Sequence, residues 1–121
     1  MTKKYSIKWL STPKEGNYFA AYDYLRLLVS DDEAHAYCSK LEAAPISEFM
    51  AKDILRASGL TLLNSTNKTV QKDLEKIKEG IPLSPILLVR GKDKLVVADG
   101  FHRLVAAYNY SETCILKCKI V

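Results

Sequence analysis

The tightest constraint on the fold is a pair of apolar segments, "SPILLVR" and "KLVVAD", separated only by "GKD". Three residues with a glycine at their head suit a tight antiparallel hairpin. Neither "ILLV" nor "LVV" alternates with polar residues, the pattern of strands buried on both faces in a parallel sheet. Directly after them, "FHRLVAAYNY" has helical spacing and "CILKCKIV" reads as a closing strand.

The elements that cover this sheet lie upstream. In "NYFAAYDYLRLLV", Asn17 is a capping residue and Phe19, Tyr22, Leu25, Leu28 and Val29 recur at helical spacing. "SDDEAHAYCSKLEAA" gives a second helix, capped by Ser30 or Asp31, with Ala34, Cys38 and Leu41 on one stripe and a stop at Pro45. The short segment "YSIKWL" and a turn around Pro13 to Gly16 precede this pair. Phe49 to Ile54 reads as a strand followed by an irregular connection through Gly59. Asn67 then caps a helix with Val70, Leu74 and Ile77 on its apolar face, and Gly80 and Pro82 end it. Strand, helix, hairpin, helix, strand predicts an α+β single domain: a small mixed sheet flanked by helices (residues 47–121), preceded by an N-terminal helical pair (residues 1–46).

At 121 residues, 48% hydrophobic and 26% charged, the chain can bury one core and is short for two. Its longest apolar runs fall far below the roughly 20 residues of a membrane span, and "MTKKYSIKWL" lacks the apolar centre of a signal peptide. The expectation is a cytoplasmic protein without a membrane partner. Three cysteines make a poor disulfide framework. Cys114 and Cys118 would stand about 13 Å apart along a strand, too far to share a bridge or an ion, so no metal site is expected. The net charge of +4 arises in the second half: residues 1–60 hold eight basic and eight acidic side chains, residues 61–121 ten and six. Such a surplus suits a phosphate-bearing partner, and equally a solvated face with spare lysines.

"VVADGFHRLVAAY" focuses that charge. Asp99 and Gly100 end a strand, so the helix beginning near Phe101 presents free N–H groups and the positive end of its dipole at the sheet's edge. Glycine admits close approach of a ligand, arginine can grip two phosphate oxygens, and histidine can donate a hydrogen bond or move a proton. A plainer account uses the same residues: Asp99 caps the helix, Gly100 makes the turn and Arg103 pairs with a neighbouring acid.

From Asn67 to Val121 the sequence resembles the ParB/sulfiredoxin superfamily: a helix, "GIPLSPILLVR", a hairpin, a glycine-centred turn carrying His-Arg before a helix with "AA", and a last strand. "DGFHR" is similar to the phosphate-binding turn of sulfiredoxins and of the free-serine kinases of that fold, and looks related to the "GERR" element of CTP-binding ParB proteins. With "AAYDYL" and "AKDILRASGL", the whole chain resembles small stand-alone bacterial members of the superfamily. The resemblance implies phosphate or nucleotide binding through Gly100, His102 and Arg103. It also implies ligand roles for Thr69, Lys72 and Lys76 on the preceding helix, where i, i+3, i+7 spacing keeps them on one face; a solvated stripe opposite the apolar face predicts the same residues. Sulfiredoxins place their catalytic cysteine immediately before His-Arg. Here Phe101 stands there and cannot act as a nucleophile, so that repair chemistry is not expected.

"AKDILRAS" is a second candidate element. Lys52 and Arg56 could reach a second phosphate, and Asp53 could act as general base or bind Mg²⁺; the plain alternative is a surface loop with an Asp-Arg pair. His35 has no partner in any motif. The leading expectation is a nucleotide-dependent phosphotransferase or hydrolase, with Asp53, Asp99 and His102 as candidate catalytic groups and ATP, ADP or CTP, with Mg²⁺, as cofactor or substrate. A non-catalytic ParB-type nucleotide switch or DNA-binding module comes second; full ParB proteins add a helix-turn-helix domain, and none is expected after Val121. A metal-dependent nuclease comes third, since it wants two converging carboxylates and only Asp53 and Asp99 are near the motif.

Overall fold

A computed structural model describes residues 6–63 and 66–121. Tyr5, at the head of "YSIKWL", lies outside the described residues. The elements run α1 (Glu15–Leu25), α2 (Asp31–Ala43), β1 (Ser47–Met50), α3 (Ala51–Ser58), α4 (Lys68–Glu79), β2 (Ile86–Arg90), β3 (Leu95–Asp99), α5 (Phe101–Tyr110) and β4 (Ile115–Ile120). The sheet order is β1-β4-β2-β3. β2 and β3 form the expected antiparallel hairpin, β4 lies parallel to β2, and β1 runs antiparallel to β4. The result is a small α+β domain with a mixed sheet. No helix among the described residues is long and apolar enough to cross a membrane.

The unbroken apolar run of β2 follows from burial on both faces, in a strand that runs parallel to β4 and antiparallel to β3. Leu87 and Val89 pack with Ala21, Leu25, Cys38 and Leu41 of α1 and α2. Ile86 and Leu88 face the other way, against Ile54 of α3 and Leu104 and Ala107 of α5. α4 forms an outer layer on that side, its Val70 and Ile77 meeting Val105 and Ala106 of α5.

Several expectations need correction. The segment read as strand Phe49 to Ile54 is a strand only to Met50 and then turns into α3. Ala51, Ile54 and Ser58 form a buried face at i, i+3 and i+7, and Gly59, at φ +65°, closes the helix in the left-handed region. Asn17 does not cap α1, which begins two residues earlier behind Lys14; the Asn17 side chain instead accepts the Ser84 hydroxyl. The helix also ends at Leu25, before Leu28 and Val29, and turns Ala21 and Leu25 inward, leaving Phe19 and Leu28 largely exposed. The turn read around Pro13 to Gly16 likewise ends at Lys14, since Glu15 and Gly16 belong to α1; Ser30 accepts from the Glu33 amide and Asn67 from the amides of Thr69 and Val70, as read.

Candidate functional site

The β3-to-α5 turn is built on Gly100. Its φ of +110° is a conformation side-chain-bearing residues rarely adopt. A Cβ there would stand 2.9 Å from Nη2 of Arg103 and 3.0 Å from Cγ1 of Ile86. No side chain caps α5, whose N-terminus lies at the carboxyl end of β3.

His102 and Arg103 diverge from this turn. His102 lines a cavity of about 290 Å³ with Tyr24, Leu60, Val97 and Phe101, and its ring meets Phe101 edge-on at 5.9 Å. Arg103 turns back beneath the turn: Nη2 donates to Asp99 Oδ2 at 3.1 Å and to the Pro85 carbonyl at 3.3 Å. The plainer account of Arg103 as partner to a neighbouring acid is therefore realised, in a pair only 16% and 17% exposed. Its Nε is buried with no hydrogen-bond partner.

On that side lies a small cavity of about 100 Å³, lined by Lys14, Asn17, Asp73, Lys76, Ser84 and Arg103. Lys76 thus joins Arg103, as the reading of α4 expected. Thr69 and Lys72 are exposed and line neither cavity. Asp73 was not anticipated. It is 8% exposed, and burial pushes its carboxyl above the usual range against the opposing pull of Lys76, Arg103 and His102. The same two influences act on Asp99: burial raises its pKa, and Arg103, by charge and hydrogen bond, pulls it down. A signal for Asp73 existed in the spacing, because Val70, Asp73 and Ile77 fall at i, i+3 and i+7 and put an acid on the buried face.

The α3 candidates are not brought to the turn. Lys52 and Asp53 pair with each other at 3.5 Å in the first turn of α3, where the Lys52 amide donates to the Glu112 carbonyl beyond the far end of α5. Ten helical residues, about 15 Å, separate that end from Asp99. Asp53 and Asp99 therefore do not converge, and Arg56 is exposed in the last turn of α3. His35 is exposed and stacks on Tyr22, ring centres 4.5 Å apart.

Comparison of the chain with protein-family models, with curated proteins and with solved structures finds no match.

Proposed function

We propose that the chain binds a phosphate-bearing small molecule at the Asp99–Arg103 turn, as a ParB/sulfiredoxin-like domain working in the cytoplasm. The observation that carries this reading is the meeting of Lys76 of α4 and Arg103 of α5 at one small polar cavity, whose wall Lys14, Asp73 and Ser84 complete. About 100 Å³ has room for a phosphoryl group and not for a nucleoside. The 290 Å³ cavity on the other side of the same turn, walled by Tyr24, Leu60 and Phe101, has the size and apolar character for an organic moiety.

Each residue has a defined task in this reading. The Lys76 ammonium and the Arg103 guanidinium, which both line the small cavity, neutralise the phosphate oxygens. Asp99 and the Pro85 carbonyl orient the guanidinium of Arg103 at the wall of the small cavity. Asp73, whose carboxyl burial pushes above its ordinary range, lines the same cavity and is the group there that can exchange a proton with a bound ligand. The same arrangement serves a phosphotransferase or hydrolase, with His102 over the larger cavity as the group that moves a proton. Three free thiols, Cys38, Cys114 and Cys118, support a reducing compartment.

The test is calorimetric titration of the full chain with inorganic phosphate, ATP, ADP and CTP, with and without Mg²⁺. Saturable binding of phosphate or a nucleotide, weakened at least tenfold in Lys76→Met, is expected. Absence of binding throughout the series would refute the reading.

A further inference from the structure

On the opposite face of the sheet, β4 carries a lysine where its neighbours would predict solvent. Leu116 and Cys118 face α3 and α5, so Lys117 and Lys119 point the other way. Lys117 is partly exposed and pairs with Glu48 of β1. Lys119, two residues on, passes beneath the α1–α2 pair and is only 6% exposed. Its ammonium donates to the Glu42 carbonyl at 2.8 Å and sits 5.8 Å from the centre of the Tyr18 ring. Among the described residues no carboxylate lies within ion-pair distance of it. An ammonium has three donors, and one carbonyl and one ring face are poor compensation for a buried charge.

Lys119 also lines a cavity of about 630 Å³ between the helical pair and β4. That volume is in the range of small-molecule sites. Its walls are flat and aromatic: Tyr18, Phe19 and Tyr22 of α1, and His35 of α2 stacked on Tyr22. Phe19 is 66% exposed although it borders a cavity. Glu42 lines the space beside Lys119, and Glu15 lines it as well.

We infer that this cavity is a second binding site, for a small aromatic carboxylate whose anion meets the Lys119 ammonium and whose ring is held among Tyr18, Phe19 and Tyr22. Aromatic walls favour offset or edge-to-face contact with a planar ligand, and a buried cation lacking an anionic partner supplies the charge-assisted hydrogen bond that fixes its orientation. Glu42, adjoining Lys119, favours a ligand with an amino group next to its carboxylate, as in an aromatic amino acid, over a plain aromatic acid.

The experiment titrates the full chain with phenylacetate, indole-3-acetate, phenylalanine and tryptophan by calorimetry and by backbone amide shifts. At least one is expected to bind saturably, with shifts concentrated at Tyr18, Tyr22, His35 and Lys119. Lys119→Met keeps the apolar stem, should melt at or above the parent temperature, and should lose binding at least tenfold. Glu42→Gln should strengthen binding of the plain acids and weaken that of the amino acids. Lys76→Met, an exposed change at the phosphate site, should leave this binding unchanged, so the two sites fail or stand separately. No saturable binding by any of the four, or affinity unaltered in a folded Lys119→Met, would overturn the inference.

Discussion

Arg103→Ala should destabilise the fold, and the loss should depend on pH. Arg103 and Asp99 are 16% and 17% exposed and share a 3.1 Å charge-assisted hydrogen bond. Truncating the arginine leaves Asp99 with the desolvation that already raises its pKa and without the charge and hydrogen bond that oppose it. An acceptor stranded in this way costs about 1 to 3 kcal/mol. For a domain of this size that corresponds to roughly 3 to 15 °C in melting temperature. The sign follows from linkage. In the variant the folded-state pKa of Asp99 rises further above an unfolded value of about 3.9, so the folded state holds a proton that the unfolded state has lost. The stability associated with that proton is present below the unfolded pKa and disappears as pH climbs through the folded one. The deficit should therefore be greatest at pH 7 and shrink toward pH 4, and Asp99→Asn added to Arg103→Ala should recover part of it at pH 7. Thermal melts of parent, single and double variants at both pH values provide the measurement. Equal melting of Arg103→Ala and the parent at pH 7, or a deficit as large at pH 4, would refute the reasoning.

Gly100→Ala should cost about 1 to 3 kcal/mol, because it forces a side-chain-bearing residue to φ +110° and drives a methyl against Arg103 and Ile86; denaturant titration reads the loss. Asp73 also has a folded pKa raised by burial, so its share of stability is present below about pH 4 and lost as pH rises. Asp73→Asn should accordingly gain on the parent in melting temperature from pH 4 to pH 7. Burial pushes the thiols of Cys114 and Cys118 up to about 11 and about 12 and raises that of Cys38. At pH 8 a chromogenic disulfide reagent should react slowly with the native protein and rapidly with all three thiols in denaturant, and an immediate native reaction would contradict this.

Much of this was written in local sequence. Ser30 and Asn67 as caps, Gly80 as a stop, the Gly91 hairpin and the Gly100 turn each depend on a few neighbouring residues, and each stands where the residues put it. α3 escaped because Phe49, Met50, Ile54 and Leu55 make an apolar cluster short enough to suit either element. Only the face Ala51–Ile54–Ser58 with Gly59 behind it decides for a helix. Phe19 and Leu28 misled because periodicity gives a stripe without saying what covers it, and β2 and β3 received Ala21 and Leu25 instead. The partners of Arg103, the burial of Asp73 and the roof over Lys119 are long-range facts. Lys119 and Glu42 are 77 positions apart, and no local pattern announces their contact.

The most direct test of the phosphate site is titration of the ¹⁵N-labelled chain with inorganic phosphate, following the backbone amides of Asp73, Ser84 and Arg103, which line the small cavity. The account predicts saturable shifts at these three amides, strongly reduced in Lys76→Met, a variant whose exposed side chain should leave the melting temperature within about 2 °C of the parent. Shifts scattered over surface lysines with these three amides unmoved, or a response identical in Lys76→Met, would contradict it.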